Sequence, residues 1–256
     1  MMLALITNDD GVASDGIAVL ARRALHAGLE VVVAAPSWDS SGASASLTAV
    51  ETDGRFLTAG ASIKGVDAPC LAVEAAPAFI VRAALSGAFG PAPDMVLSGV
   101  NHGPNTGHAV LHSGTVGAAF TAATLDRPAA AFSLDATTTD HWGTVEDVID
   151  QVLAWLVDQD LAGTVLNVNV PDVPRQELRG LRAARLAPFG AVTANVTEVG
   201  AGYVSMRYSA PTEDADPDTD VGLLDAGSAT VTSLTPICEH NSASFAGLTD
   251  DHPHVP

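Results

Sequence analysis

The 256-residue sequence predicts an α/β protein: a doubly wound, mostly parallel sheet core followed by a smaller β-rich C-terminal extension. Three observations lead there. Short, continuous apolar runs alternate with segments of helical period as far as Pro171, the pattern of strands covered on both faces by helices. The first strand, helix and strand follow one another within a single βαβ length, which implies parallel pairing through a right-handed crossover. Beyond Pro171 the apolar period shortens to two, as in antiparallel strands.

Residues 2–7 (MLALIT) are expected to form a buried strand. In 16–26, Ile17, Leu20, Ala21, Ala24 and Leu25 recur at helical spacing, and Gly28 is placed to close that helix as its C-cap. Residues 30–36 (EVVVAAP) are a second apolar strand, and the Ser-, Gly- and Ala-rich stretch 37–60 reads as a long functional loop with short strands. Residues 77–87 carry Phe79, Ile80, Ala83 and Ala84 on one helical face; 94–99 is a strand followed by a second glycine-rich loop. An alanine-rich helix over 114–125, a strand over 129–134, an amphipathic helix over 144–157 and a strand over 164–171 complete the core. In the extension, 186–208 alternates like antiparallel strands, TEDADPDTD (212–220) reads as an acidic turn, and 228–237 is a last strand. This divides the chain into a catalytic core (1–185), an extension with a strand returning to the core (186–237) and a loose tail (238–256).

Composition narrows the function. The formal net charge is −19, with 30 acidic against 11 basic residues. Nucleic-acid polymers and anionic membranes are poor partners for such a surface, whereas a small phosphorylated ligand is compatible with it if a divalent cation reverses the local field. Lys64 is the only lysine and lies in no phosphate-binding motif. Cys70 and Cys238 are too few and too far apart for a disulfide scaffold or a zinc site. The N-terminus has no basic leader and no apolar stretch reaches membrane-spanning length, so a soluble, cytoplasmic protein is expected.

The chemistry concentrates at strand ends, where open α/β sheets bind their ligands. Asp9 and Asp10 follow the first strand, Ser40 and Ser41 the second, and Asn101 the strand that begins near Asp94. Two carboxylates, an amide oxygen and a hydroxyl form an oxygen-rich donor set suited to Mg²⁺ or Mn²⁺. In HSGTVGAAF, His112–Ser113–Gly114–Thr115 lie where loop becomes helix, and the amides and dipole of a helix N-terminus favour a phosphate. A metal beside a phosphate cradle suits phosphoryl transfer. Asp9 with Asp10 could equally be a turn and Ser113 a simple helix cap. His102 and His108 match no metal-ligand spacing.

TNDDG with the following GI, APSWDSSGAS, SGVNHGPNTG, HSGTVGAA and the late TP of SLTPI, in this order, resemble the SurE family of survival proteins. The resemblance implies a Rossmann-like core, an extension used in oligomerisation and metal-dependent hydrolysis of nucleoside monophosphates. It implies Asp9, Asp10, Ser41 and Asn101 as metal ligands, Ser41 being favoured over Ser40 because it precedes Gly42. It places Asn105, Ser113, Gly114 and Thr115 around the phosphate; Asn8 and His112 are further candidates on that side, His112 as a proton donor to the leaving oxygen, and catalysis is expected of Asp9, Asp10, Asn101 and Ser113. His112 replaces the family's tyrosine, and GVDAPC (65–70) departs from its usual GTPxDC. These departures motivate a second reading, a phosphatase dedicated to one modified nucleotide. A third, a non-catalytic receiver-like module, requires a lysine at a late strand end. A homodimer built through the extension is expected.

Overall fold

The computed structural model describes residues 1–136, 138–139, 141–189, 193–209 and 215–239, without the side chains of 193–195 and 207–209. Its centre is a nine-stranded sheet. In chain order the strands are β1 (Leu3–Thr7), β2 (Glu30–Pro36), β3 (Glu51–Thr52), β4 (Arg55–Phe56), β5 (Thr58–Gly60), β6 (Cys70–Val73), β7 (Met95–His102), β8 (Ala129–Asp135), β9 (Val165–Pro171), β10 (Leu181–Ala183), β11 (Thr193–Gly200), β12 (Tyr203–Ser209) and β13 (Ala229–Leu234). The helices are α1 (Asp15–His26), α2 (Pro77–Leu85), α3 (Gly114–Ala123), α4 (Trp142–Leu156) and α5 (Asp220–Asp225).

The sheet order is β10-β13-β9-β8-β7-β1-β2-β6-β5, with β3–β4 and β11–β12 as separate pairs. From β1 the chain winds outward through β2 and β6, then crosses back to lay β7, β8 and β9 on the other side, all parallel. The winding therefore reverses between β1 and β7, and a crevice opens there at the carboxyl ends. Ala4, Ile6 and Leu97 face the side covered by α1 and α4, while Leu5 and Val96 face α2 and α3. The alternation of a strand thus feeds two apolar layers at once.

Helix boundaries follow local chemistry. Ser14 caps α1 by accepting from the Ile17 amide, and Gly28, at φ +82°, follows the Ala27 cap. The left-handed residue is thus one position past the cap, where a glycine costs least. The alanine-rich α3 is buried around nearly its whole circumference, between the sheet, α2 and the 37–50 loop. A side chain at Gly117 would put its Cβ 2.4 Å from the Ser44 carbonyl.

Four expectations change. β7 continues through Asn101 to His102, so Asn101 lies in the strand and not after it. The last strand, expected to return to the core, ends at Leu234 and not at Ile237; it pairs antiparallel with β9 and parallel with β10. In the extension the antiparallel pair is confined to β11 and β12; before it, Arg185 instead bridges Thr219, and Leu186 and Ala187 are packed inward. The acidic segment ends in α5, capped by Thr219 and too short to show a helical period. Of the expected tail, only 238–239 lie among the described residues.

Candidate active site

The reversal point brings four loops together. Asn8 begins the first. It is fully buried, its amide nitrogen donating to the Gly11 carbonyl (3.1 Å) and Ser14 Oγ (2.7 Å) while its oxygen accepts from the Gly11 amide. Its polar atoms are thereby committed to folding the turn under the site, and Gly11, at φ +97°, completes that turn. The turn leaves the next two carboxylates at the mouth of the crevice.

Asp9 is only 3 % exposed. Burial pushes its carboxyl up from the ordinary range, opposed by the Thr115 hydroxyl, which donates to Oδ1, and by the Thr115 and Gly114 amides facing it. The N-terminus of α3 is thus aimed at Asp9. Gly114 allows the approach: a Cβ there would lie 2.7 Å from Asp9 Oδ2 and 2.8 Å from its Cβ. Ser113 caps the same helix, accepting from the Val116 amide at 3.0 Å. The sequence expectation leaves the α3 amides free for a substrate phosphate; in the structure the anion in front of them is Asp9 itself.

Asp10 is half-buried. Burial, then the charge of Asp9, pushes its pKa up to about 6, while the His102 ring and backbone amide favour ionisation. Its Oδ2 is buried and has no hydrogen-bond partner, and among the described residues no arginine or lysine pairs with either aspartate. Asn101 enters from β7. A register irregularity between Ser98 and Asn101, with Gly99 so close to β8 that a Cβ would meet the Phe132 carbonyl at 2.3 Å, turns it toward the crevice. Its amide nitrogen donates to the Gly103 carbonyl (2.6 Å), which leaves Oδ1 facing Thr115 Oγ1 at 3.4 Å.

The fourth loop follows β2. Ser40 donates both its amide (2.7 Å) and its hydroxyl (3.1 Å) to the Asp9 carbonyl, tying this loop to the first. Ser41 is exposed, and its amide and hydroxyl donate to Asp39 Oδ1 at 2.9 and 2.6 Å. The Ser41 hydroxyl is the first cause of the lowered Asp39 pKa, and Asp39 in turn adds negative field at Asp10. Asp39 is a third carboxylate the sequence reading passed over, although it stands in the same SWDSSG motif.

Asp9, Asp10, Asn101, Ser113, Gly114 and Thr115 are therefore brought together, while Ser41 is turned aside to Asp39. His112 is exposed at the end of a short 3₁₀ turn, Gly107–His112. Asn105 lies over the ends of β8 and β9. Its amide donates to Asn169 Oδ1 (2.8 Å), its carbonyl accepts from Asn167 and Asn169, and its side chain donates to Ser133 Oγ (2.8 Å). Asn167 and Asn169 were not expected here. Their signal was present: two amides at alternate positions of an otherwise apolar strand need partners if both faces are buried.

The site fits a hard divalent cation. Adjacent carboxylates repel each other, and an orphaned buried carboxylate oxygen costs free energy until a cation or donor meets it. No cluster of three or more His, Cys, Asp or Glu suited to a metal occurs among the described residues. The donors are instead two carboxylates completed by neutral oxygens, the chemistry Mg²⁺ and Mn²⁺ accept.

Residues 4–191 match the family model described as survival protein SurE. A 5'/3'-nucleotidase SurE of Proteus mirabilis is 39% identical over 238 residues, 91% of this chain and 90% of that one. A 5'-nucleotidase SurE of Methylococcus capsulatus is 38% identical over 234 residues, covering 90% of each chain. The SurE protein from Aquifex aeolicus superposes with a TM-score of 0.77 at 28% identity, over 96% of this chain and 98% of that one. The family model spans most of the chain and relatives at 38–39% identity cover nine-tenths of it, so the chain belongs to the SurE family of survival proteins.

Proposed function

We propose that this protein is a divalent-metal-dependent phosphomonoesterase that hydrolyses nucleoside monophosphates to nucleoside and phosphate. Family membership and the nucleotidase names of its relatives support the reaction class. The observation that carries the metal dependence is the Asp9–Asp10 pair at the sheet's reversal point, with the Oδ2 of Asp10 buried and without a hydrogen-bond partner.

In this reading Asp9, Asp10, Ser41 and Asn101 hold Mg²⁺ or Mn²⁺. A bound ion would supply positive charge to the phosphoryl oxygens and acidify a water. Ser41 reaches the ion by exchanging its bond to Asp39, which an exposed hydroxyl can do at low cost. Asn105, Ser113, Gly114 and Thr115 form the phosphate side, where the Asn105 side-chain amide and the Ser113 hydroxyl offer donors to the phosphoryl oxygens while Gly114 and Thr115 hold Asp9 beside them. Asn8 acts by holding the turn beneath them. His112, exposed at the rim, can donate a proton to the departing sugar oxygen.

The acidic surface fits a small nucleotide better than a polymer. No helix among the described residues is long and apolar enough to cross a membrane, and we place the enzyme in the cytoplasm. A phosphate-release panel over 5'- and 3'-nucleoside monophosphates, with and without chelator, tests the reading. Release that stops in chelator and returns with Mg²⁺ or Mn²⁺ is expected; full activity in excess chelator overturns the metal's role.

A further inference from the structure

We propose that Asp220 is a positioning residue for the loop that carries Asn105, so that the C-terminal segment holds the phosphate side of the active site in place. The proposal rests on reading Asn105 as part of that side.

Asp220 is fully buried, and no ion pair reaches it among the described residues. Its Oδ2 accepts from the Gly107 amide at 2.7 Å; its Oδ1 accepts from the amides of Ala187 and Val221, each at 2.9 Å. One carboxylate therefore joins the loop after β7, the segment leading to the β11–β12 hairpin, and the start of α5. Helix capping does not account for it, since Thr219 already caps α5 through its hydroxyl on the Gly222 amide. A buried anion satisfied by three backbone amides is costly to place, and the bond to Gly107 is the one that reaches into the site.

The receiving residue is shaped for this contact. Gly107 has φ +54°, and a Cβ there would lie 1.7 Å from the Phe189 carbonyl oxygen and 2.9 Å from that of Ala187. Two residues earlier, Asn105 is held by Asn167, Asn169 and Ser133. The loop is thus pinned to the sheet at Asn105 and to the C-terminal segment at Gly107. Among the described residues Asp220 hydrogen-bonds to none of Asp9, Asp10 and Asn101, so phosphate affinity and metal affinity should respond differently to its loss.

The test uses the full-length protein with Asp220→Asn, Gly107→Ala and Asp216→Asn, the last an exposed control on the same segment that pairs with Arg185. Asparagine retains the Oδ1 acceptor for Ala187 and Val221 but can present an NH₂ group to the Gly107 amide, so it removes chiefly the loop contact. Inorganic phosphate is the probe, measured by calorimetry with Mn²⁺ present and as an inhibitor of nucleoside monophosphate hydrolysis. In Asp220→Asn and Gly107→Ala, phosphate dissociation constant and KM should rise about tenfold, the double variant adding little more. The Mn²⁺ activation constant should stay within about twofold, as both constants should in Asp216→Asn. A folded Asp220→Asn protein with unchanged phosphate affinity overturns the proposal, as does one that loses Mn²⁺ and phosphate affinity in parallel. If neither variant folds, hydrogen exchange of the wild-type Gly107 amide decides: slow exchange supports the clamp and rapid exchange refutes it. Absence of phosphate release from every nucleotide by the wild type would instead refute the proposed function, while the calorimetric comparison would still judge Asp220.

Discussion

At Asp10 two demands conflict: the crevice buries a carboxylate next to another one, and folding without a cation must bear that cost. Burial first and the Asp9 charge second raise its pKa to about 6, so the folded state binds this proton more tightly than the unfolded chain. The sign follows from linkage. Stability is gained as pH falls through about 6 and lost as it rises, because above that pH the folded state must ionise a buried acid. In chelator, Asp10→Asn should therefore melt higher than wild type at pH 7.5, and the gap should close toward pH 5. Parallel melting curves at both pH values would count against the assignment. With metal restored, the same variant should lose roughly 10²-fold or more in kcat, because asparagine keeps the shape but not the charge. A turn or cap residue would tolerate the change, since asparagine caps as well as aspartate. Near-normal turnover in a folded variant would mean that Asp10 only shapes its turn.

At the scale of the element, α3 shows how packing overrides propensity. Replacing a glycine in a helix by alanine ordinarily adds about 1 kcal/mol of stability. At Gly114 the new Cβ would press on the Asp9 side chain at 2.7–2.8 Å, and the Cβ of Asp9 cannot move aside without shifting the turn that Asn8 organises. Gly114→Ala should therefore give no gain in melting temperature and lower kcat/KM by about 10²-fold through displacement of Asp9. Higher stability with intact turnover would show that the helix N-terminus is not packed against the carboxylate. The same crowding at Gly117 against Ser44 explains why a helix so rich in alanine also needs glycine at that turn.

For the whole molecule, the β11–β12 hairpin stands apart from the central sheet and exposes apolar side chains. Val199 is 73 % and its cross-strand partner Val204 is 58 % exposed, and Val196, Met206 and Tyr203 are each more than half exposed. A two-stranded ribbon with such a surface is marginal alone in water and is commonly covered by a symmetry-related copy. We propose that the homodimer expected from the sequence forms through this hairpin. Light scattering at micromolar concentration should give a dimer mass for the wild type and a monomer mass for Val204→Glu. A monomeric wild type would refute the dimer.

Much of this protein was legible because its signals are local. A strand buried on both faces is a continuous apolar run, and its end is where the run breaks, so Asp9, Asp10 and the order of core elements could be read directly. Ser113 was readable as a helix start for the same reason. What the sequence could not decide is which groups meet across long separations. The Thr115 hydroxyl reaches Asp9 over 106 positions, and Asp220 reaches Gly107 over 113. The partner of each polar group is chosen by how the layers pack, and a buried carboxylate takes whichever amides packing delivers. Thus the sequence by itself determined the order of the core strands and the acidic pair at the end of the first. Only the tertiary structure decided that α3 points at Asp9, that Ser41 turns to Asp39, and that a residue of the acidic C-terminal segment anchors the loop carrying Asn105.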